Sequence, residues 1–538
     1  MIDNMFTMFG GVMSAMTQAQ LANMRAASQS MELAIATQAR MWGIHSEQEA
    51  PVDKRFKDES WQENPAADTL RQAYQIYAQW LIDMANGLEP INHTLHERAS
   101  FWTQQWIDAV SPSNFALTNP VVLQETARSG GMNLVQGMQN ALSDMRQGRI
   151  SQVAENAFEV GKDLAITPGK VIYRNPVIEL IQYEATTETV SDVPLLIIPP
   201  WINRYYVMDM QPKNSMFKYL VDKGFTVFAI SWKNPDGSTL DMDWDDYMDY
   251  GPLAALDVVK SVTGAERVNT AGYCLGGIIE QVTVAYLAAV GDDSVNTATF
   301  FAAHQDFSDA GDISVFISKP EVLFLEWLMA VSGGYLDGKN MAATFNMLRS
   351  NDLLWNYYVH NYLLGKEPPA FDLLYWNSDG TRVPGRVHSF LIREFFLENK
   401  LMKSNSLRVK DVAIDLGKIE TPSYAVATKN DHIVPWRGAF NIRELHGGPV
   451  RFILSGGGHI AGIINPPAAN KRAYWINEGE DVDPDEWFEG AQKHEGSWWE
   501  DWTSWLNDHS GGEIAPPSMG NEQHSPIMDA PGSYVLEN

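Results

Sequence analysis

The sequence predicts an α/β chain in two parts: a helical N-terminal domain over about residues 1–155, then residues 156–538 built on a mostly parallel central sheet with a helical insertion over about 299–404. Three observations predict it. Apolar residues recur at helical spacing through the first part. Short apolar runs alternate with helical stretches in the second, the order that gives a parallel sheet covered on both faces. That alternation then lapses into a long aromatic, helical stretch before it resumes.

In chain order, "MTQAQLANMRAASQSMELAIATQARMWGIH" and "DTLRQAYQIYAQWLIDMANGL" read as amphipathic helices without breakers. Packing on the rest of the chain explains their apolar faces. The Met-rich opening (Met1, Met5, Met8, Met13, Met16, Met24) leaves open an adaptable apolar contact surface, because Met packs against irregular partners. Strand runs follow at Val193 to Ile198, Phe225 to Ser231, "RVNTAGYC", "SYAVATKND" and "VRFILSGGGH", with a helix in "WDDYMDYGPLAALDVVKSVTG" between the second and third. The insertion contains "PEVLFLEWLMAVSGG", "NDLLWNYYVHNYLLG" and "FDLLYWNSDG", and segments so placed commonly cover an active site. After residue 510, Gly, Pro and polar residues predict an extended tail.

Composition narrows the function. The chain is 45% hydrophobic, with 18 Trp, 22 Phe and 19 Tyr to fill its cores. Its 67 acidic and 39 basic residues give a formal charge of -28, which repels nucleic-acid phosphates and anionic lipids. One cysteine forms no internal disulfide, and no secretory-type opening or apolar run of about 18 residues is present. The expected compartment is the cytosol, with a reduced thiol and no membrane span.

That cysteine is Cys274 in "NTAGYCLGGIIEQV", where Gly272, Cys274 and Gly276 occupy the places of a G-x-S-x-G nucleophile elbow between a strand and a helix. A helix N-terminus favours a thiolate. A small buried Cys in a Gly-rich turn is the plain alternative. Two further strand ends weigh against it: "TKNDHIVPW" places Asp431 at a carboxyl edge, where open sheets put catalytic groups, and "SGGGHIAGIINPP" places His459 after three glycines. Nucleophile, acid, histidine is the chain order of the α/β-hydrolase triad. His432 is the competing imidazole. For an oxyanion hole the backbone N–H of Leu275, after the nucleophile, and that of Ile202 in "PPWIN" are the candidates. A thiol attacking a thioester makes another thioester, so Cys274 favours acyl transfer in which the acyl group stays activated, with His459 deprotonating the thiol and Asp431 orienting His459.

The motifs "GYCLGG", "NDHIVPW", "GHIAGIINPPAANK", "PPWINRYYVMDMQP" and "GSWWEDWTSWL" resemble the single-subunit class I polyhydroxyalkanoate synthases, over nearly the whole chain from "RFKDESWQENP" onward. The resemblance implies an α/β-hydrolase fold with a helical cap and an acyltransferase that polymerises (R)-3-hydroxyacyl-CoA. Its substrates would be mainly short-chain ones such as 3-hydroxybutyryl-CoA, and it would release CoA. Cys274 would carry the growing polyester, His459 would activate the thiol, and the acid matching Asp431 would also help activate the 3-hydroxyl. It further implies a homodimer at the surface of cytoplasmic granules, an N-terminal domain tied to granule association and dimer stability, and neither cofactor nor metal. Trp355 matches an aromatic of the family's cap, and simple core packing accounts for it equally well. One departure stands out: where "TLLTTLLDF" is expected, this chain has "TFFAAHQDF", which brings His304 and Gln305 beside Asp306. "SGGGH" likewise replaces the more usual Ala-Ser-Gly before the histidine. A thiol-dependent acyl-CoA thioesterase of the same fold and a non-catalytic granule-binding protein are the competing readings.

Overall fold

The computed structural model describes residues 2–41, 53–154, 156–479 and 483–537. The chain divides into two compact units, one formed by Met1–Glu155 with Ala343–Ala370, the other by Asn156–Ala342 with Phe371–Asn538.

In the first unit the helical pattern becomes α1 (Ile2–Met41), α2 (Pro65–Asn86), α3 (His93–Ala109), α4 (Pro120–Ser129) and α5 (Met132–Gln147). Two of these begin with the same device. Asn64 and Asn119 each cap two backbone N–H groups, and a proline follows at the first helical position, where no N–H is needed. Phe56, Trp61, Tyr74, Ala78 and Ile107 form a small core, and the Tyr74 hydroxyl donates to the Ile107 carbonyl at 2.6 Å. Residues 343–370 lie within the stretch read as the insertion, yet they group with these helices. Asn133 Nδ2 donates to the Leu363 carbonyl at 2.8 Å, and the Tyr362 hydroxyl to Asp144 Oδ2 at 2.6 Å. The approach is possible because residue 137 is glycine: a Cβ there would lie 1.8 Å from the Tyr362 carbonyl oxygen. Met13, Met16 and Met24 are exposed along α1; Met1 and the side chains of Met5 and Met8 fall outside the described residues.

In the second unit an 11-stranded sheet uses β1 (Gly169–Arg174), β2 (Ile178–Tyr183), β3 (Leu195–Ile198), β4 (Val227–Trp232), β5 (Val268–Tyr273), β6 (Val295–Phe301), β7 (Ser423–Thr428), β8 (Val450–Ser455), β9 (Ala473–Ile476), β10 (Gln492–Glu495) and β11 (Met528–Asp529), in the order β10-β9-β8-β7-β6-β5-β3-β4-β2-β1-β11. The pairs from β4 to β8 are all parallel, and β2 and β9 flank them antiparallel. The five strands expected from sequence are β3, β4, β5, β7 and β8, the block that positions the site. β3 and β4 are buried along their whole length, which explains their nearly continuous apolar runs.

Two elements differ from the sequence reading in detail. The expected helix from Trp244 is broken: a π-helical turn at Asp249–Leu253, containing Gly251 and Pro252, precedes α6 (Ala254–Thr263). Pro252 removes a hydrogen bond donor, and the backbone at Gly251 presses on Trp232, which leaves no room for a Cβ. The tail after residue 510 is extended but docked: β11 pairs with β1, Tyr534 and Val535 are buried, and the Tyr534 carbonyl accepts from Arg204 Nη1 at 3.0 Å. Among the described residues no helix is long and apolar enough to cross a membrane.

Candidate active site

Cys274 stands between β5 and α7 (Leu275–Val290) with φ 54° and ψ -120°, a conformation rare for a residue carrying a Cβ. The surroundings enforce it. The Cys274 N–H donates to the Phe301 carbonyl at 2.9 Å, while its own carbonyl accepts from Gly277 and Ile278. On either side the chain passes too close to its neighbours for a side chain. A Cβ at Gly276 would lie 1.9 Å from the Ile198 carbonyl oxygen, and one at Gly272 would lie 2.5 Å from Gly277 Cα. The glycines of the motif are thus spacing requirements that let α7 start against the end of β3. The thiol is half-buried.

The acid follows β7. Asp431 Oδ1 accepts the N–H groups of Ile433 and Val434, both at 2.9 Å, and Oδ2 accepts from Thr428 Oγ1 at 3.1 Å. This Asx-type turn fixes the carboxylate, and Oδ2 receives the Nδ1–H of His459 at 2.8 Å. His459 is held as firmly. Its ring lies over Tyr273 at 5.5 Å, the Tyr273 hydroxyl donates to its carbonyl, and three donors tie down the chain just beyond it. Ser455 Oγ and Trp498 Nε1 both bond the Gly462 carbonyl, and Trp499 Nε1 bonds that of Ile463. Trp498 and Trp499 lead into and open α8 (Trp499–Asp508), so the "GSWWEDW" motif is a clamp on the histidine loop. Sequence reasoning noted the motif without its role.

The electrostatics couple the three groups. Burial alone would lower the His459 pKa, but the Asp431 carboxylate, the charge on Cys274 and hydrogen bonds to both raise it well above the usual imidazole value. Burial alone would raise that of Asp431, and the His459 charge with the backbone donors lowers it instead. The His459 imidazole thus holds its proton more tightly than a free imidazole does, between the Asp431 carboxylate and the Cys274 sulfur.

The remaining candidates are placed as follows. Leu275 is the first residue of α7, where backbone N–H groups have no intrahelical acceptor. Ile202 is buried in the loop after β3. Its carbonyl accepts from the Thr381 N–H, Thr381 Oγ1 donates to the Trp201 carbonyl at 2.8 Å, and Trp376 Nε1 donates to that of Arg204 at 2.6 Å. His432 is half-buried, and its carbonyl accepts from the Asp312 N–H; the imidazole that donates to Asp431 is that of His459. Trp355 closes a π-helical turn in the first unit, Asn351–Trp355, with its ring 5.6 Å from Tyr358. Among the described residues, no group of three or more His, Cys, Asp or Glu side chains is arranged to hold a metal ion.

Known proteins resemble this chain along most of its length. Residues 52–220 match the family model for the poly-beta-hydroxybutyrate polymerase (PhaC) N-terminus, and residues 193–466 match the alpha/beta hydrolase fold. The poly(3-hydroxyalkanoate) polymerase subunit PhaC of Rhizobium meliloti is 44% identical over 487 residues, which cover 90% of this chain and 79% of that protein. The polymerase of Methylorubrum extorquens is 42% identical over 509 residues, 93% of this chain and 84% of its own. The PhaC subunit of Cupriavidus necator is 40% identical over 488 residues, 90% and 83%. A soluble variant of monoglyceride lipase from Saccharomyces cerevisiae aligns over 67% of this chain at 13% identity with a TM-score of 0.38. The fold assignment rests on the sheet order and the family model.

Proposed function

The chain belongs to the poly(3-hydroxyalkanoate) polymerase family, acyltransferases on an α/β-hydrolase fold, and from this premise we propose that it polymerises (R)-3-hydroxyacyl-CoA through a Cys274–His459–Asp431 triad. The observation that carries the reading is the 2.8 Å hydrogen bond from His459 to Asp431, with Cys274 held at positive φ on the strand-to-helix elbow beside that imidazole.

The chemistry follows from these groups. Cys274 Sγ attacks the thioester carbonyl, and the oxyanion that forms is met by the N–H groups of Leu275 and Ile202. The carbon–sulfur bond to CoA breaks, and the leaving thiolate takes the proton from His459. The acyl group is now a thioester on Cys274, close in energy to the one consumed. His459, again neutral, accepts the proton from the 3-hydroxyl of a second acyl unit as its oxygen attacks that thioester. An ester bond forms, and the sulfur is released for the next cycle. Asp431 keeps the imidazole in the tautomer that presents Nε2 to these protons and stabilises its charge. Its carboxylate also helps activate the 3-hydroxyl.

The preferred substrates are short-chain, with 3-hydroxybutyryl-CoA the representative, and the enzyme works as a homodimer on cytoplasmic polyester granules. The N-terminal unit supports granule association through the apolar side chains it exposes, among them Met16, Met24 and Met31 on α1 and Met138 and Met145 on α5. His432 flanks the acid, and Trp355 belongs to the stretch matching the cap.

The test is CoA release and polymer formation from (R)-3-hydroxybutyryl-CoA by wild type and Cys274→Ala. Wild type yields both and the variant neither. CoA release by wild type without polymer makes the protein a thioesterase, and polymer formation undiminished in the variant removes Cys274 from the mechanism.

A further inference from the structure

The residue that departs from the family pattern, His304, lies behind the acid's turn. It follows β6, is buried, stacks on Phe307 at 4.8 Å and meets the edge of Phe396 at 6.0 Å. Its Nε2–H donates to the Ile433 carbonyl at 2.9 Å. That carbonyl and the N–H of Val434 belong to one peptide group, and the Val434 N–H donates to Asp431 Oδ1. A continuous hydrogen-bonded line therefore runs from the His304 imidazole through the 433–434 peptide to the Asp431 carboxylate and on to His459 Nδ1.

We propose that His304 is a positioning residue for the reaction: its Nε2–H polarises and anchors the 433–434 peptide, whose N–H in turn holds Asp431 in the orientation that accepts from His459. Hydrogen bonds in series strengthen one another in a low-dielectric setting, so a donor at the far end of the line tightens the bond at the near end. Burial lowers the His304 pKa against the raising effects of the Ile433 carbonyl and the Asp431 charge, with the His459 charge also lowering it, and this keeps the ring a neutral donor. The Asp306 carboxylate, two residues away, is satisfied by Asn399 and Asn441. An apolar residue at this position cannot supply the donor, so the device distinguishes this chain from the pattern its family resemblance leads one to expect.

The inference rests on Asp431 and His459 acting as acid and base, and its test reads that pair without requiring polymerisation. Because Cys274 is the only cysteine in the chain, the iodoacetamide alkylation rate of the intact protein reports this thiol alone. Two variants separate hydrogen bonding from packing. His304→Gln keeps an N–H at the reach of Nε2, whereas His304→Leu fills the space between Phe307 and Phe396 without a donor. Packing alone favours Leu in this aromatic pocket, so a purely structural role would make Leu the better substitute. The expected result is the reverse for reactivity: in His304→Leu both alkylation at pH 6.5 and kcat fall about fivefold with KM unchanged, while His304→Gln stays within about twofold of wild type. Alkylation and kcat of His304→Leu at wild-type levels overturn the proposal, and so does a folded His304→Gln as impaired as Leu. If Gln unfolds, the Leu variant decides alone. Absence of polymer from wild type would overturn the polymerase reading and leave the alkylation comparison standing.

Discussion

The elbow that holds Cys274 and the two loops that hold Asp431 and His459 reach the same precision by opposite means. At the elbow, position is set by exclusion. Backbone segments approach so closely that glycine alone fits at 272 and 276, and the strained conformation of Cys274 follows from that packing. In the loops, position is set by directed bonds: backbone N–H groups and Thr428 on the acid, and Ser455, Trp498 and Trp499 just past the histidine. Each part is therefore vulnerable to a different kind of change. Added volume breaks the elbow, and removed polarity or charge loosens the loops while leaving the fold intact.

The largest effect is expected from Gly276→Ala. A methyl group 1.9 Å from the Ile198 oxygen forces β3 and α7 apart, and with them Ile202 and Leu275, which flank this contact. Overpacking of this kind costs about 1–3 kcal/mol or more. Activity should fall by at least about 100-fold, as a 1 Å misplacement suffices to do, and the melting temperature should fall in calorimetry. A variant with wild-type stability and rate would show that the close approach does not define the elbow.

Asp431→Asn tests the loops. Geometry is retained because the amide oxygen still accepts from Ile433 and Val434, yet activity should drop by about 10²–10⁴ as the imidazole loses its counter-charge. Stability should respond less, and with a definite pH dependence. A raised histidine pKa stabilises the fold fully below the unfolded value of about 6.5, and that stabilisation is lost as pH rises through the folded value. The lowered Asp431 pKa confines its own contribution to pH above the unfolded carboxylate value of about 4, lost as pH falls through the folded one. Wild type should thus exceed the variant most in thermal melts near pH 6, with the gap closing toward high pH. A gap that widens with pH would contradict the charged pair.

The sequence made the site more legible than its surroundings. Cys274, Asp431 and His459 announce themselves because each sits beside glycine or turn residues just past a strand of the parallel block. β2 was hidden because it buries Glu179 and Gln182 among its apolar residues, with Glu179 satisfied by Arg174 and Ser533 some distance along the chain. β10 was hidden because its four residues, Gln492–Glu495, are polar or charged, and β9, Ala473–Ile476, because four residues are too few to show a period. The grouping of residues 343–370 with the N-terminal helices depends on partners more than 200 positions away, such as Asn133 with Leu363, which periodicity does not encode. The indole N–H bonds of Trp498 and Trp499 are invisible for the same reason: tryptophan in a helical pattern reads as core, and only the fold shows what its nitrogen reaches.

The proposed mechanism places the growing acyl chain on the elbow thiol. Its most direct test is a rapid acid quench of the enzyme during turnover of (R)-3-hydroxybutyryl-CoA, followed by mass analysis of the peptide containing Cys274. The expected result is 3-hydroxybutyryl units in thioester linkage on that peptide, lost on treatment with hydroxylamine and absent in Cys274→Ala. Polymer accumulating while the Cys274 peptide remains unmodified at every quench time, or acyl units attached to another residue, would contradict it.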